Sequence, residues 1–98
     1  MQIPFVVALL IWLDEIINKL AEKHGVSRKD VREAFSNEPH FLLIEKGHRP
    51  GENVYAAMGK TDAGRYLIVF FVYKRGQQAL IISARDMTRA ERRRYEQR

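Results

Sequence analysis

The sequence predicts an α+β domain with two N-terminal helices packed on a mainly antiparallel sheet of four to five strands, followed by a short C-terminal helix. Apolar residues first recur with the 3.6-residue period of helices, between residues 13 and 35. Four β-prone segments follow between residues 41 and 84, joined by short turns that favour antiparallel pairing. The 98 residues suffice for one domain, 1–98, and are too few for two.

Residues 3–13 form an uncharged, almost wholly apolar run at the N-terminus. This run is shorter than the about 20 residues of a membrane-spanning helix, and it lacks the basic leader and cleavage site of a secretory signal. A continuous apolar run of this kind is typical of a buried strand that leads into a helix. We therefore interpret residues 1–10 as either the first strand or an N-terminal extension, and we expect no contact with a membrane.

Two amphipathic helices are predicted next. In residues 13–24 the apolar side chains follow helical spacing while charged residues fill the other side, and Gly25 follows as a natural left-handed cap. Ser27 opens the second helix, because Asp30 three positions later completes a capping box. Pro39 marks the end of this helical stretch, since proline cannot continue a helix.

The strands are predicted at residues 41–44, 54–58, 65–73 and 79–84. The segment 61–64 (TDAG) is typical of a hairpin turn between the second and third of these strands. The third strand is apolar on both faces, as a central strand covered by helices would be. Thr88 and Glu91 form a second capping box, which opens the terminal helix that runs to about Tyr95.

The net charge of +5 is concentrated in the last two-fifths of the chain. Residues 1–59 contain seven Lys/Arg and eight Asp/Glu, a net charge of −1, whereas residues 60–98 contain ten Lys/Arg and four Asp/Glu, a net charge of +6. This asymmetry predicts that the C-terminal part binds a polyanion or an acidic partner. The alternative interpretation is a solvated basic surface that serves solubility.

The chain has no cysteine, which excludes disulfides, thiolate zinc sites and cysteine nucleophiles. This composition fits a reducing interior, and we expect a cytoplasmic protein. The three histidines lack metal-ligand spacing, so neither a metal site nor a cofactor is predicted. His24 is expected to pack against or cap the first helix rather than to catalyse. The sequence also lacks a phosphate-binding glycine loop and a G-x-S-x-G elbow, which excludes the usual signatures of nucleotide hydrolysis and serine chemistry.

Three segments of the chain resemble the BrnT toxin family. They are residues 23–27 (KHGVS), residues 64–67 (GRYL) and residues 82–96 (ISARDMTRAERRRYE), of which the last is the most specific. The resemblance covers residues 11–97. The first ten residues extend beyond the usual start of the family, which lies close to an aromatic residue such as Trp12.

The resemblance implies a RelE-like fold and the function of a toxin in a type II toxin–antitoxin pair. Such a toxin is a metal-independent endoribonuclease that cleaves RNA, either free or on the ribosome, and thereby inhibits translation. The resemblance also implies a partner, a BrnA-type antitoxin that binds DNA. The present chain is therefore expected to meet DNA only indirectly, through the antitoxin.

Metal-independent RNA cleavage needs a base for the ribose 2′-hydroxyl, cations for the charge on the phosphate and a proton donor for the leaving 5′-oxygen. Arginine suits the phosphate, because its planar group donates paired hydrogen bonds. The resemblance carries these roles onto four arginines at the junction of the last strand and the last helix. They are Arg85, Arg89, Arg92 and Arg93. Arg85 and Arg89 are predicted to be catalytic and the other two to bind RNA, although all four could instead pair with acids of the same segment.

Four further side chains are candidates on chemical grounds. Lys60 and Arg65 flank the predicted hairpin, where Lys60 is the better catalytic base and Arg65 the better clamp for an RNA phosphate. Tyr73 and Tyr95 are suited to stacking on RNA bases. The alternative is that the two charges belong to an ordinary turn and that the two tyrosines only pack.

A second class of function stays open at this point. The chain could be a non-catalytic module whose basic end binds nucleic acid or an acidic protein within a DNA-binding toxin–antitoxin complex. The uncovered edges of a small sheet also invite a partner strand or helix. A binding module predicts salt-sensitive binding without turnover, whereas a ribonuclease produces new RNA ends.

Overall fold

The computed structural model describes residues 6–98 and contains three helices and five strands in this part of the chain. In chain order they are β1 (Leu9–Ile11), α1 (Asp14–His24), α2 (Arg28–Ser36), β2 (His40–Glu45), β3 (Val54–Lys60), β4 (Tyr66–Lys74), β5 (Gln78–Asp86) and α3 (Arg89–Glu96). Within the described residues there is no helix with the length and apolar character needed to cross a membrane. The predicted order of helices and strands is therefore confirmed; β2, β3 and β5 are slightly longer than predicted, and β4 is shifted by one residue.

The helix ends follow the predicted capping chemistry. Gly25 ends α1 in the left-handed conformation, with φ of 60°. Ser27 and Asp30 bond reciprocally at the start of α2, and Thr88 and Glu91 do the same at the start of α3. His24 is expected either to pack against the first helix or to cap it; packing is wrong, because this last residue of α1 is exposed, and the capping role stays a prediction.

The five strands form one mixed sheet in the order β1-β5-β4-β3-β2. Strands β2 to β5 pair antiparallel with their sequence neighbours, as the short turns predict. The mainly antiparallel prediction is corrected at one edge, where β1 pairs parallel with the first residues of β5. This pairing is possible because α1, α2 and three strands separate β1 from β5 along the chain. The interpretation of residues 1–5 lies outside the described part of the chain.

Helices α1 and α2 pack on one face of the sheet, as expected. Leu20 of α1 and Val31 of α2 are buried against apolar side chains of β3, β4 and β5. Phe71 of β4 lies near the centre of this layer, with its ring in contact with Phe35 and Phe41 at centroid distances of 5.3 and 6.0 Å. Burial of these large side chains supplies the main hydrophobic stabilisation of the fold.

Helix α3 packs on the opposite face of the sheet. Tyr95 is its buried residue and lies against Met58 of β3 and Ile68 of β4. The Tyr95 hydroxyl donates hydrogen bonds to the carbonyls of Asn37 and Glu38, just before β2. Since α3 begins directly after β5, it runs across the sheet from β5 towards β2.

A β-bulge in β5 decides which residues face α3. Phe70 pairs with Ser83 while the next residue, Phe71, pairs with Ile81, so that Ile82 is an extra residue in β5. Without the bulge, regular alternation through Ile82 would place Arg85 on the same face as Ile81, under α1. The bulge instead places Arg85 on the face that carries α3.

Helix α2 approaches β3 closely at Gly59. A Cβ atom at this position would overlap the backbone carbonyl of Ala34 in α2. Both residues are completely or almost completely buried. The absence of a side chain at Gly59 therefore sets the distance between the helix layer and the sheet.

Candidate active site

An open groove of about 740 Å³ lies where α3 meets the β3–β4 hairpin and the connection between α2 and β2. Lys60 and Tyr66 line it from the hairpin, and Glu96 and Arg98 line it from the last turn of α3 and the residues after it. The lining thus combines two cations, Lys60 and Arg98, with three carboxylates, those of Glu38, Asp62 and Glu96. Its openness to solvent suits a polymer better than an enclosed small molecule.

The hairpin turn fixes the positions of Lys60 and Tyr66. The Thr61 amide donates to the Arg65 carbonyl at 2.8 Å, and Gly64 adopts φ of 94°, as the turn requires. The predicted turn is therefore confirmed. It places Lys60 directly opposite Tyr66 in the ladder, on the sheet face that carries α3.

Tyr66 lies at the centre of the polar cluster in this groove. The Lys60 ammonium lies 5.1 Å from the centroid of the Tyr66 ring, and the Arg92 guanidinium lies 4.0 Å from it. The Tyr66 hydroxyl donates to a carboxylate oxygen of Glu96 at 3.1 Å, and the same carboxylate lies 3.9 Å from Arg92. Two cations, a hydroxyl and a carboxylate are thereby held together.

Arg85 is engaged with Glu91. Its guanidinium donates two hydrogen bonds to the Glu91 carboxylate, at 2.7 and 3.0 Å, and lies over the ring of Phe70. These hydrogen bonds raise the pKa of Arg85, and the bond from Arg85 lowers the pKa of Glu91 to about 2. The Arg85 side chain is still 37% exposed, so the pair lies at the rim of the covered surface. Arg85 therefore positions the start of α3 in this conformation.

The Arg85–Glu91 pair predicts an acid-sensitive contribution to stability. Because the pKa of Glu91 is depressed in the folded state, the contribution is fully present above its ordinary value of 4.5 and is lost as the pH falls through about 2. A Glu91→Gln variant, which keeps the capping hydrogen bond, is expected to lose about 1 kcal/mol of stability at pH 7. Urea unfolding between pH 7 and pH 2 is expected to show this difference shrinking.

Glu22→Gln is the matched control for that series. Glu22 is exposed on α1 and makes no hydrogen bond or ion pair with the described residues. Its variant should follow the unaltered chain at every pH. A Glu91→Gln variant that behaves like the Glu22 control would show that the pair contributes nothing to folding.

Arg89 and Arg93 lie on the solvent side of α3. Both are exposed, and neither has a hydrogen-bond or ion-pair partner for its side chain among residues 6–98. Arg89 precedes Arg92 by three residues and Arg93 by four, so it lies beside both, whereas the consecutive Arg92 and Arg93 point about 100° apart. These three predicted arginines are therefore brought together, while Arg85 is held separately by Glu91.

Arg65 lies outside the groove, although it precedes Tyr66. Its guanidinium donates to both carboxylate oxygens of Asp86, at 2.6 and 3.2 Å, and to the carbonyls of His24 and Gly25. The hydrogen bond from Arg65 lowers the pKa of Asp86. With its donors used in this way, Arg65 connects the α1–α2 junction to the end of β5. Its role as an RNA clamp stays a prediction, and the geometry favours a structural role.

The two tyrosines predicted to stack on RNA bases are not in a position to do so together. Tyr73 lies near the far end of β4, where its hydroxyl donates to the Val6 carbonyl at 2.8 Å. The Tyr95 side chain is buried, with Arg98 over its ring. Stacking at Tyr73 and Tyr95 stays a prediction, and their contacts favour packing roles.

Sequence reasoning missed Tyr66 and Glu96 as site residues. A signal for each was present in the pattern. Lys60 and Tyr66 stand one residue outside Thr61 and Arg65, the two residues that close the hairpin turn, so the two side chains pair across the ladder. Glu96 follows Arg92 by four residues, the spacing at which helical side chains meet.

Metal-ligating side chains do not cluster in the described part of the chain. Among residues 6–98 no group of three or more histidine, aspartate or glutamate side chains is placed to hold a metal ion. The groove instead offers cations and hydrogen-bonding groups carried by the protein itself.

Comparisons with known proteins were made for the sequence and for the fold. No curated protein matches the sequence. The fold is similar to the crystal structure of the Brucella abortus ribonuclease toxin BrnT, with a TM-score of 0.60 over 83% of this chain and 97% of that one. The two chains are 17% identical, so this likeness shows a shared fold.

The family comparison extends over most of the sequence. Residues 12–91 match the model of the family described as the ribonuclease toxin BrnT of type II toxin–antitoxin systems. The match begins at Trp12, where the resemblance of the sequence placed the usual start of the family. It includes the hairpin, the basic junction and the first turn of α3. The chain therefore belongs to the family of BrnT ribonuclease toxins of type II toxin–antitoxin systems.

Proposed function

We propose that this chain is a metal-independent endoribonuclease of the RelE-like kind. Its active site is the groove between the β3–β4 hairpin and α3. By cleaving cytoplasmic mRNA, it inhibits translation. The observation that carries the proposal is the arrangement around Tyr66. Lys60 and Arg92 both lie close to its ring, and the Glu96 carboxylate accepts a hydrogen bond from its hydroxyl. Family membership adds the reaction class.

The cations of this site act on the phosphate. Arg92 and Lys60 lie 4.0 and 5.1 Å from the centroid of one aromatic ring, so a phosphate beside that ring meets positive charge. The exposed Arg89 and Arg93 extend this charge along α3 and bind neighbouring phosphates of the RNA strand. As the phosphorus becomes five-coordinate, the growing charge on its oxygens strengthens these interactions, which lowers the barrier.

Proton transfer falls to the groups that the same cluster holds. The 2′-oxygen of the ribose attacks phosphorus, the bond to the 5′-oxygen breaks, and a 2′,3′-cyclic phosphate and a free 5′-hydroxyl result. We assign the carboxylate of Glu96, held by Tyr66, as the acceptor of the 2′-hydroxyl proton, with Lys60 as the alternative base. The Tyr66 hydroxyl, or the Lys60 ammonium, supplies the proton to the 5′-oxygen. Arg85 is assigned to positioning α3 through Glu91.

The test is the appearance of new RNA ends. The purified chain is added to a cell-free translation reaction, and the 5′ ends of a reporter mRNA are mapped, with a ribosome-free reaction alongside. New ends with a 5′-hydroxyl are expected, and the ribosome-free reaction shows whether RNA is cut alone or during translation. Intact mRNA with bound chain would favour the non-catalytic binding module instead.

Two substitutions of Lys60 separate its possible roles. Lys60→Met removes both the charge and the amine, and we expect a loss of about 100-fold in cleavage rate. Lys60→Arg keeps the charge but cannot act as a base near neutral pH, and we expect it to retain most of the rate. If Lys60→Arg is as inactive as Lys60→Met, Lys60 transfers a proton itself, as the base or as the acid, and a purely electrostatic role for its charge is wrong.

Membership of a type II system implies an antitoxin as the partner of this chain. We propose that this antitoxin is of the BrnA type, and that the chain meets DNA only through it. The uneven charge of the chain supports an acidic contribution from that partner.

A further inference from the structure

Only part of the sheet face that carries α3 is covered by that helix. Met58 and Ile68 face each other across β3 and β4 and are buried under α3. Beside this pair, apolar side chains of β2, β3, β4 and β5 form further cross-strand rows that are only partly buried. The strand register places them in two adjacent rows on this face. They form what we call the apolar platform: Leu42, Val54, Phe70, Val72 and Leu80.

The dimensions of the apolar platform match one helix. Four neighbouring strands span about 14 Å across the sheet, and two rows on one face are about 7 Å apart along it. A helix of about ten residues rises about 15 Å and packs about 8–10 Å from a neighbouring helix. A helix of that length therefore fits across the four strands, beside α3.

The side of the platform next to α3 is positively charged. Arg94 is exposed on α3, and after burial its charge is the main cause that lowers the pKa of His40, one row along β2 from the platform. Arg85 lies over the ring of Phe70, within the platform itself, but its charge is already paired with Glu91. An occupant with acidic side chains along this side therefore complements the charge of Arg94.

The chemistry of the platform favours protein over RNA. Leucine, valine and phenylalanine offer no hydrogen-bond donors to phosphates or bases, whereas they suit the apolar face of an amphipathic helix. We propose that the antitoxin places such a helix, about ten residues long, on the apolar platform with its acidic side chains towards Arg94. This proposal rests on family membership and is independent of the catalytic assignments in the groove.

A charge placed in the platform tests the contact directly. A Val72→Glu variant is expected to bind the purified cognate antitoxin about 100-fold more weakly in isothermal titration calorimetry. A carboxylate at this position cannot pack against the apolar face of the helix and repels the acidic side chains beside that face. Leu13→Glu is the matched control, because Leu13 is an exposed leucine at the start of α1, away from the platform. Its affinity should be unchanged. Equal affinities for Val72→Glu and the unaltered chain would overturn the proposal.

Circular dichroism of Val72→Glu shows whether the variant is folded, and RNA cleavage without antitoxin is measured alongside. An unaltered chain that binds antitoxin through the platform but never cleaves RNA would contradict only the proposed function. Because binding and cleavage are separate measurements, the two proposals fail in distinguishable ways.

A second measurement does not depend on tolerance of Val72→Glu. The chain has no cysteine, so a fluorophore in a Ser83→Cys variant labels only the row that contains Phe70. Its emission is expected to shift to shorter wavelength when antitoxin is added, while the same label in an Asn18→Cys variant, on the exposed side of α1, should not respond. No shift at saturating antitoxin, or a shift caused instead by a non-cleavable 2′-O-methyl RNA, would overturn the proposal.

Discussion

An Arg92→Ala variant is expected to cleave RNA about 100- to 1000-fold more slowly than the unaltered chain. Arg92 lies 4.0 Å from the centroid of the Tyr66 ring and 3.9 Å from the Glu96 carboxylate, so its charge is held where we place the reacting phosphate. The measurement is the initial rate of cleavage of a defined RNA at saturating enzyme. Because the Arg92 side chain is 55% exposed, the melting temperature should change by only a few degrees.

Arg94→Ala is the control for this prediction. Arg94 is the same residue type on the same helix, but it lies near His40, whereas Arg92 lies over the Tyr66 ring. Its loss should leave the rate of RNA cleavage without antitoxin unchanged. An Arg92→Ala variant that cleaves RNA as fast as the Arg94→Ala control would remove the cluster around Tyr66 from consideration as the active site.

A Gly59→Ala variant is expected to be destabilised by about 3 kcal/mol or more. Its methyl group would overlap the backbone carbonyl of Ala34, and backbone cannot yield as a flexible side chain can. Helix α2 would have to move away from β3, which opens the core around Phe71. Urea unfolding followed by circular dichroism measures the change in the free energy of unfolding.

Gly51→Ala provides the comparison. Gly51 has a positive φ of 81°, but its surroundings are open, so alanine there should cost only about 1 kcal/mol of backbone strain. The difference between the two variants isolates the steric overlap at Gly59. Similar losses at the two positions would show that α2 does not need its close approach to β3.

Local chemistry made the helices predictable. The capping boxes at Ser27 and Thr88 and the left-handed Gly25 involve residues close in sequence, and each is formed as expected. The antiparallel order of β2 to β5 follows from short connections. The parallel pairing of β1 with β5 could not be predicted in this way, because it joins segments about 70 residues apart.

The candidate site was less accessible to sequence reasoning. The basic junction was found because its charge is dense and its segment resembles a family. The sequence did not indicate which arginines already pair with an acidic side chain. Arg85 reaches Glu91 because the bulge at Ile82 turns it towards α3. A bulge leaves no trace in the apolar pattern, so this pairing could not be predicted. The pairing of Arg65 with Asp86 likewise depends on tertiary contacts.

Consecutive residues in an extended chain point to opposite sides. Arg65 therefore points to the face of the sheet that carries α1 and α2, and Tyr66 points to the face that carries α3. A single amino acid inserted in the turn after Thr61 would exchange the two directions. The Arg65 guanidinium would then enter the groove and the Tyr66 phenol would enter the helix layer. The chain would lose the contacts of Arg65 that hold the α1–α2 junction and the cluster around Tyr66 in the groove at the same time. Changes in length through evolution are therefore expected to avoid this turn and to accumulate in the β2–β3 connection, residues 46–53, which carries neither function.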